Sequence, residues 1–222
     1  MGLGITRLRR SQLASREYRW WFVCALSLLV AVAVLVSVET TSDPTRRVLS
    51  STSTQSPTTT TMTRPAPGLA RSVPRELLVP SLNISTTVGE LGLQANDEVQ
   101  VPNNVHTVGW FRLGPTPGQI GSSVILGHVD SFRGPGVFFE LKSLTLGALI
   151  EVRLSDGVTA QFRVTSVVQY AKTGFPDALV YGSTRKRELN LVTCGGTFDH
   201  QTGSYESNIV VFSRLVGVVA AA

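Results

Sequence analysis

Two side chains in this chain are suited to covalent chemistry, and they stand at matching points in their local patterns. Cys194 ends the alternating run Glu188-Leu189-Asn190-Leu191-Val192-Thr193 and is followed at once by Gly195-Gly196. His128 ends Ser122-Ser123-Val124-Ile125-Leu126-Gly127 in much the same way. A thiolate is the nucleophilic form of cysteine, and an imidazole beside it lowers the thiol pKa and can serve as acid or base. The two glycines leave backbone N–H groups next to the thiol that no Cβ shields. Two strand ends, each with a neighbouring glycine, are natural places for such a pair to meet at the rim of a sheet. The rival reading is a cysteine buried at the end of a core strand and a structural histidine. Spacing alone leaves both open.

The remaining histidines carry less. His106 lies among asparagines before an aromatic strand and reads as loop surface, and His200 follows Asp199 in a polar loop and reads as solvated. His128-Val129-Asp130 offers two metal ligands, but no further cysteine or histidine stands at zinc spacing. No metal and no cofactor is expected.

Such residues need a folded frame, and composition says where it lies. The chain has 222 residues, 42% hydrophobic and 16% charged, which suits one domain of ordinary size plus extra segments and argues against disorder throughout. Residues 1–75 hold ten of the twenty Lys and Arg but three of the fifteen Asp and Glu; residues 76–222 hold ten basic and twelve acidic residues. The positive charge therefore belongs to the N-terminal part, and a nucleic-acid-binding face on the folded part is excluded. Cys24, the only other cysteine, lies inside an apolar run, so no disulfide framework is expected.

Residues 1–19 carry five arginines against one acid, and Trp20 to Val38 then run without a charge. At about 1.5 Å per residue that run makes roughly 28 Å of helix, close to the hydrocarbon thickness of a bilayer. The tryptophans at its start and the arginines before it predict a signal-anchor with the N-terminus in the cytoplasm and the folded domain on the extracellular face of the membrane. A cleaved signal peptide is the competing reading, disfavoured by the length of the run and the lack of an A-x-A site. Residues 39–75 are rich in Ser, Thr and Pro without apolar periodicity and predict a disordered tether. On this plan 1–19 is a basic cytoplasmic segment, 20–38 a transmembrane helix, 39–75 a linker, 76–217 the folded domain and 218–222 a short tail.

Within the domain, strands are predicted at 77–79, 82–88, 107–111, 122–126, 149–154, 159–170, 189–193 and 208–215. Asp156-Gly157 marks a hairpin, and Phe138 to Leu144 supplies one or two helical turns. About eight short strands with almost no long helical pattern predict an all-β fold, a small closed barrel.

The segment Val124-Ile125-Leu126-Gly127-His128-Val129-Asp130-Ser131, with Leu191-Val192-Thr193-Cys194-Gly195-Gly196 downstream, resembles the sortases, and most closely the actinobacterial class F group. Val108-Gly109-Trp110-Phe111, Gly114-Pro115-Thr116-Pro117-Gly118, Val137-Phe138-Phe139 and Tyr205-Glu206-Ser207-Asn208-Ile209-Val210-Val211-Phe212 extend the resemblance over residues 76–216. It implies a closed eight-stranded β-barrel and a membrane-anchored cysteine transpeptidase of a Gram-positive cell wall. Cys194 would attack the Thr–Gly carbonyl of an LPXTG-like sorting signal to form a thioester acyl-enzyme. His128 would protonate the leaving amine and then deprotonate the amine of a peptidoglycan precursor, the acceptor. Gly195 and Gly196 would bring backbone N–H groups to the oxyanion.

One departure stands out. The family uses an arginine near the start of the last strand, where this chain reads Tyr205-Glu206-Ser207-Asn208. Glu206 and Asn208 share a strand face by parity, so an acid or an amide stands in the arginine's region. Arg214 is about 20 Å from Asn208 at strand rise. Arg133, on a loop five residues after His128, can reach back or point to solvent, and the role stays unassigned. Two rivals follow: a sortase-like module that binds peptide with weak or no turnover, and a cell-wall cysteine peptidase. Papain-like peptidases place the cysteine before the histidine, the reverse of the order here.

Overall fold

The structure, a computed structural model, describes residues 69–220. The basic segment, the apolar run and nearly all of the predicted tether lie outside the described residues. Ten strands follow in chain order: β1 (Pro74–Val79), β2 (Ile84–Leu91), β3 (Val108–Phe111), β4 (Gly121–Gly127), β5 (Asp130–Ser131), β6 (Gly134–Pro135), β7 (Leu149–Leu154), β8 (Thr159–Ala171), β9 (Arg187–Asp199) and β10 (Ser204–Val219). Eight of them close a barrel in the order β1-β2-β3-β4-β9-β10-β8-β7, while β5 and β6 form a two-stranded sheet of their own. The pairs β2–β3 and β4–β9 are parallel and the other barrel pairs antiparallel. The all-β closed barrel read from the sequence is the fold.

Alternation along the strands produces two apolar layers. Ile125, Leu191 and Val211 share a buried cluster with Leu77, Trp110, Phe138, Ile150 and Phe162, which fills the barrel. Val124, Leu126, Val192 and Val210, one residue out of step, pack outside the barrel with Leu91, Val99, Phe111, Phe175, Val180 and Tyr181. That outer layer comes from two connections, the one after β2 and the one after β8. The latter holds a 3-10 turn at Lys172–Gly174 and a short helix α1 (Asp177–Val180). It is tied to β9 by the Asn190 amide, which donates to the Val180 carbonyl at 2.8 Å, and to β3 by an edge-on contact of Tyr181 with Phe111.

Boundaries differ from the sequence reading where pairing partners were not visible in local pattern. The predicted linker reached residue 75, but β1 starts at Pro74, and the residues before it are docked. The Arg71 guanidinium donates to the Arg112 carbonyl at 3.0 Å and lies over the Trp110 ring, and the N–H of buried Ser72 donates to Thr116 Oγ1. The predicted tail at 218–222 loses its first residues to β10, because Val218 and Val219 pair with Ala160 and Thr159. Helical turns occur at Leu141–Ser143, inside the predicted 138–144, and also at Pro80–Leu82 and 172–180, which were not anticipated. Single turns and the two-residue strands β5 and β6 are too short for a period to register.

Phe162 is fully buried at the centre of the barrel. Phe162→Ala is expected to cost about 3–5 kcal/mol of stability, read as a lowered urea midpoint with an unchanged slope. A cost below about 1 kcal/mol contradicts this packing.

Candidate active site

Cys194 does not end its strand. β9 continues to Asp199, and what ends beside the thiol is the neighbouring strand β4, whose pairing with β9 runs from Gly121↔Arg187 to Leu126↔Val192. Cys194 is thus the residue at which β9 leaves β4 while still paired to β10, opposite Asn208. Its side chain belongs to the outer layer with Val192 and Val210 and stays partly exposed.

The glycines after it serve the β9–β10 pairing. A Cβ on Gly195 would lie 2.6 Å from Ile209 Cγ1. Gly196 has φ +80°, where a side chain is strained, and a Cβ there would stand 2.9 Å from Ser207 Oγ. Here the register shifts between Tyr205 and Ser207, a bulge that turns the end of the hairpin.

His128 follows β4 directly. β4 and β9 are parallel, and His128 and Cys194 each follow the last pair, Leu126↔Val192, by two residues, on neighbouring segments of a sheet whose strands run about 4.8 Å apart. Its Nε2 is 2.7 Å from the Pro102 carbonyl oxygen, which can only accept, so Nε2 carries a proton and Nδ1 is left for proton exchange. The turn after His128 folds back on it: the Phe138 N–H donates to the His128 carbonyl at 2.9 Å and the Gly136 N–H to Val129 at 2.8 Å. Pro102 also lines an open cavity of about 690 Å³, together with Glu90, Gln94, Gln100 and Asn104 among others. Neither His128 nor Cys194 lines it.

Charges around the thiol oppose one another. Burial pushes the Cys194 thiol above its ordinary pKa, Lys172 pulls it down and Asp130 pushes it up. The Tyr205 hydroxyl donates to Asp130 Oδ2, and this bond, with some burial, pushes the phenol up to about 12. Lys172, just past β8, donates from Nζ to Ser204 Oγ at 2.7 Å. Asp130 entered the sequence reading only as a metal ligand, and Lys172 did not enter it. No local signal distinguishes either; the barrel order β4-β9-β10-β8 brings the turn after β4, with Asp130, and the end of β8, with Lys172, near Cys194.

The residues considered for the arginine role separate. Glu206 and Asn208, assigned to one face by parity, do not share an environment: Glu206 is exposed beside the bulge and Asn208 is fully buried. Arg133 is exposed, its guanidinium over the Phe132 ring at 5.1 Å. Arg214 sits opposite Glu188, well along β10. His106 is exposed, and His200, also exposed, packs edge-on against Phe198. Neither is brought to Cys194. Both polar atoms of the Asn208 side chain lack a hydrogen-bond partner, a state that costs about 1–3 kcal/mol per group.

Removing Asp130's charge favours the thiolate, and removing that of Lys172 disfavours it. Alkylation of Cys194 by iodoacetamide followed against pH should therefore have its midpoint lowered in Asp130→Asn and raised in Lys172→Met. Opposite signs would show that these charges do not act on the thiol.

The profile described as the sortase domain matches residues 77–216, most of the barrel. Among curated proteins, none matches the chain by sequence. Similar solved structures include sortase A of Listeria monocytogenes, with a TM-score of 0.53 at 16% identity over 69% of this chain and 92% of that one. Sortase C1 of Streptococcus agalactiae gives 0.51 at 15% identity over 67% and 71%. Sortase A of Corynebacterium diphtheriae gives 0.52 at 16% identity over 67% and 62%. At such identities these likenesses speak for a shared fold. With the profile spanning well over half of its residues, this chain belongs to the sortases, a family of cysteine transpeptidases.

Proposed function

We propose that this sortase is a membrane-anchored transpeptidase in which Cys194 is the acyl-carrying nucleophile and His128 the proton carrier. The observation that supports the reading is the parallel pairing of β4 with β9, whose last pair, Leu126↔Val192, lies two residues before both His128 and Cys194. Burial raises the pKa of the Cys194 thiol, so attack requires Cys194 to give up its proton, and His128, whose Nε2–H donates to the Pro102 carbonyl, takes it at Nδ1. The sulfur adds to the Thr–Gly carbonyl of an LPXTG-like sorting signal. The leaving amine departs with the proton from His128, and a thioester remains on Cys194. An amine of a peptidoglycan precursor then gives its proton to His128 and takes the acyl group. The likeness of the Gly127-His128-Val129-Asp130 and Thr193-Cys194-Gly195-Gly196 stretches to the class F group makes that the subtype proposed.

Residues 20–38 would hold the enzyme in the membrane with residues 1–19 in the cytoplasm. Residues 39–75 would tether the domain on the extracellular side, and the uncharged run and the arginines before it support this.

Full-length protein in detergent, given an LPXTG-type peptide and an amine, should show an acyl adduct on Cys194 by mass spectrometry. Cys194→Ala should lose the adduct and His128→Ala should lose at least about 10²-fold in transfer rate. A peptide that binds without any adduct would instead favour the binding-module reading, for which the amide at Asn208 in place of a guanidinium is the supporting observation. Cell fractionation should place the full-length chain in the membrane; recovery solely in the medium would end the anchor proposal.

A further inference from the structure

Asn208 faces Cys194 directly across the β9–β10 ladder and Tyr170 across β8, so its side chain leaves the sheet on the thiol's face. It is fully buried, yet neither Oδ1 nor Nδ2 has a hydrogen-bond partner. Its successors Ile209, Val210 and Val211 are apolar, as a buried strand requires. Other unpaired groups nearby have different settings. Ser123 and Thr193 follow the parity of Ile125 and Leu191 and point into the barrel, and Asn190 has its amide nitrogen on Val180. A buried amide with no protein partner for donor or acceptor, directly opposite a candidate nucleophile, is what a ligand-binding polar group looks like in a resting site.

Resting on the acyl-transfer reading, we propose that Asn208 is a catalytic residue of this chain, its Nδ2–H donating to the carbonyl oxygen of the scissile bond as charge develops there. Its Oδ1 accepts from a backbone N–H of the same bound peptide. Side chains directly opposite in a ladder have Cβ atoms about 4.5–5.5 Å apart. An acyl oxygen is two bonds from Sγ once addition has occurred, so the carboxamide reaches it without movement of the strand. In the addition step the Cys194 proton goes to His128, sulfur bonds to carbon and the carbonyl π pair moves to oxygen. Collapse returns that pair and expels the amine with the His128 proton. Asn208 exchanges no proton and carries no charge. Because it is buried, its hydrogen bond to an oxyanion is stronger than one made in water.

The test uses full-length protein carrying Asn208→Leu, an apolar side chain of similar size, and three readouts. Thermal unfolding should stay the same or rise, since unpaired buried polar atoms are removed. Alkylation of Cys194 by iodoacetamide, which develops no oxyanion, should change less than about twofold. Single-turnover acylation by an LPXTG-type peptide should slow by about 10²–10³-fold, with part of the rate regained in Asn208→Ser, which keeps one donor. Unchanged acylation overturns the proposal, and so does a parallel loss of alkylation and acylation, which would make Asn208 a support for the thiol. Should Asn208→Leu fail to fold, the same comparison of alkylation with acylation in Asn208→Ser and Asn208→Ala decides by the same criteria. A wild-type chain whose thiol alkylates but forms no adduct with any sorting peptide overturns the acyl-transfer reading itself.

Discussion

The parallel pairing of β4 with β9 is the constraint on which the site depends. His128 and Cys194 are far apart in the chain, and neither has a local reason to approach the other. Six consecutive backbone pairs, from Gly121↔Arg187 to Leu126↔Val192, set their relative height. A slip of one residue would turn one of them to the opposite face. Such a pairing needs a long crossover, here most of β5 to β8, so the register is secured by what the crossover builds: the far side of the barrel and its packed interior.

Outside the barrel, the same strands acquire a second, smaller apolar layer, and the thiol sits at its edge. This placement has opposing consequences. Burial holds the thiol protonated, while its edge position keeps it partly exposed and within the fields of Lys172 and Asp130. The Tyr205–Asp130 bond and the Lys172–Ser204 bond hold these two charges on different elements at one rim. A thiol tuned by opposing charges is set less by its immediate neighbours than by how β8, β10 and the turn after β4 close around it.

Much of this was legible in the chain. Short apolar runs and alternation between turn signals showed all eight barrel strands, and the paired breaks at Gly127-His128 and Cys194-Gly195 singled out both candidate site residues. What escaped were features without a period: the two-residue strands β5 and β6, the single helical turn α1, and the ends of β1 and β10, which depend on distant partners. The run after Cys194 read as a strand end because two glycines break local pattern. In the fold they are what lets β9 continue past the thiol, one making room for Ile209 and the other taking the positive φ of a bulge. Parity likewise placed Glu206 and Asn208 on one face. They differ in burial all the same: Glu206 stands opposite the bulge, where β9 carries the extra residue and β8 no longer pairs, while Asn208 is paired on both sides.

The amino-acid sequence by itself determined the fold class and the family and singled out Cys194 and His128 as candidates, because strand patterning and the rare residue types near glycine are properties of neighbours along the chain. Tertiary structure alone decided which groups surround them. That Asn208 stands opposite the thiol with its amide unpaired, and that Lys172 and Asp130 act on Cys194, follow from pairing between strands distant in sequence. Register is an energy minimum of the whole barrel, set by packing on both faces at once, and no short window of residues contains it.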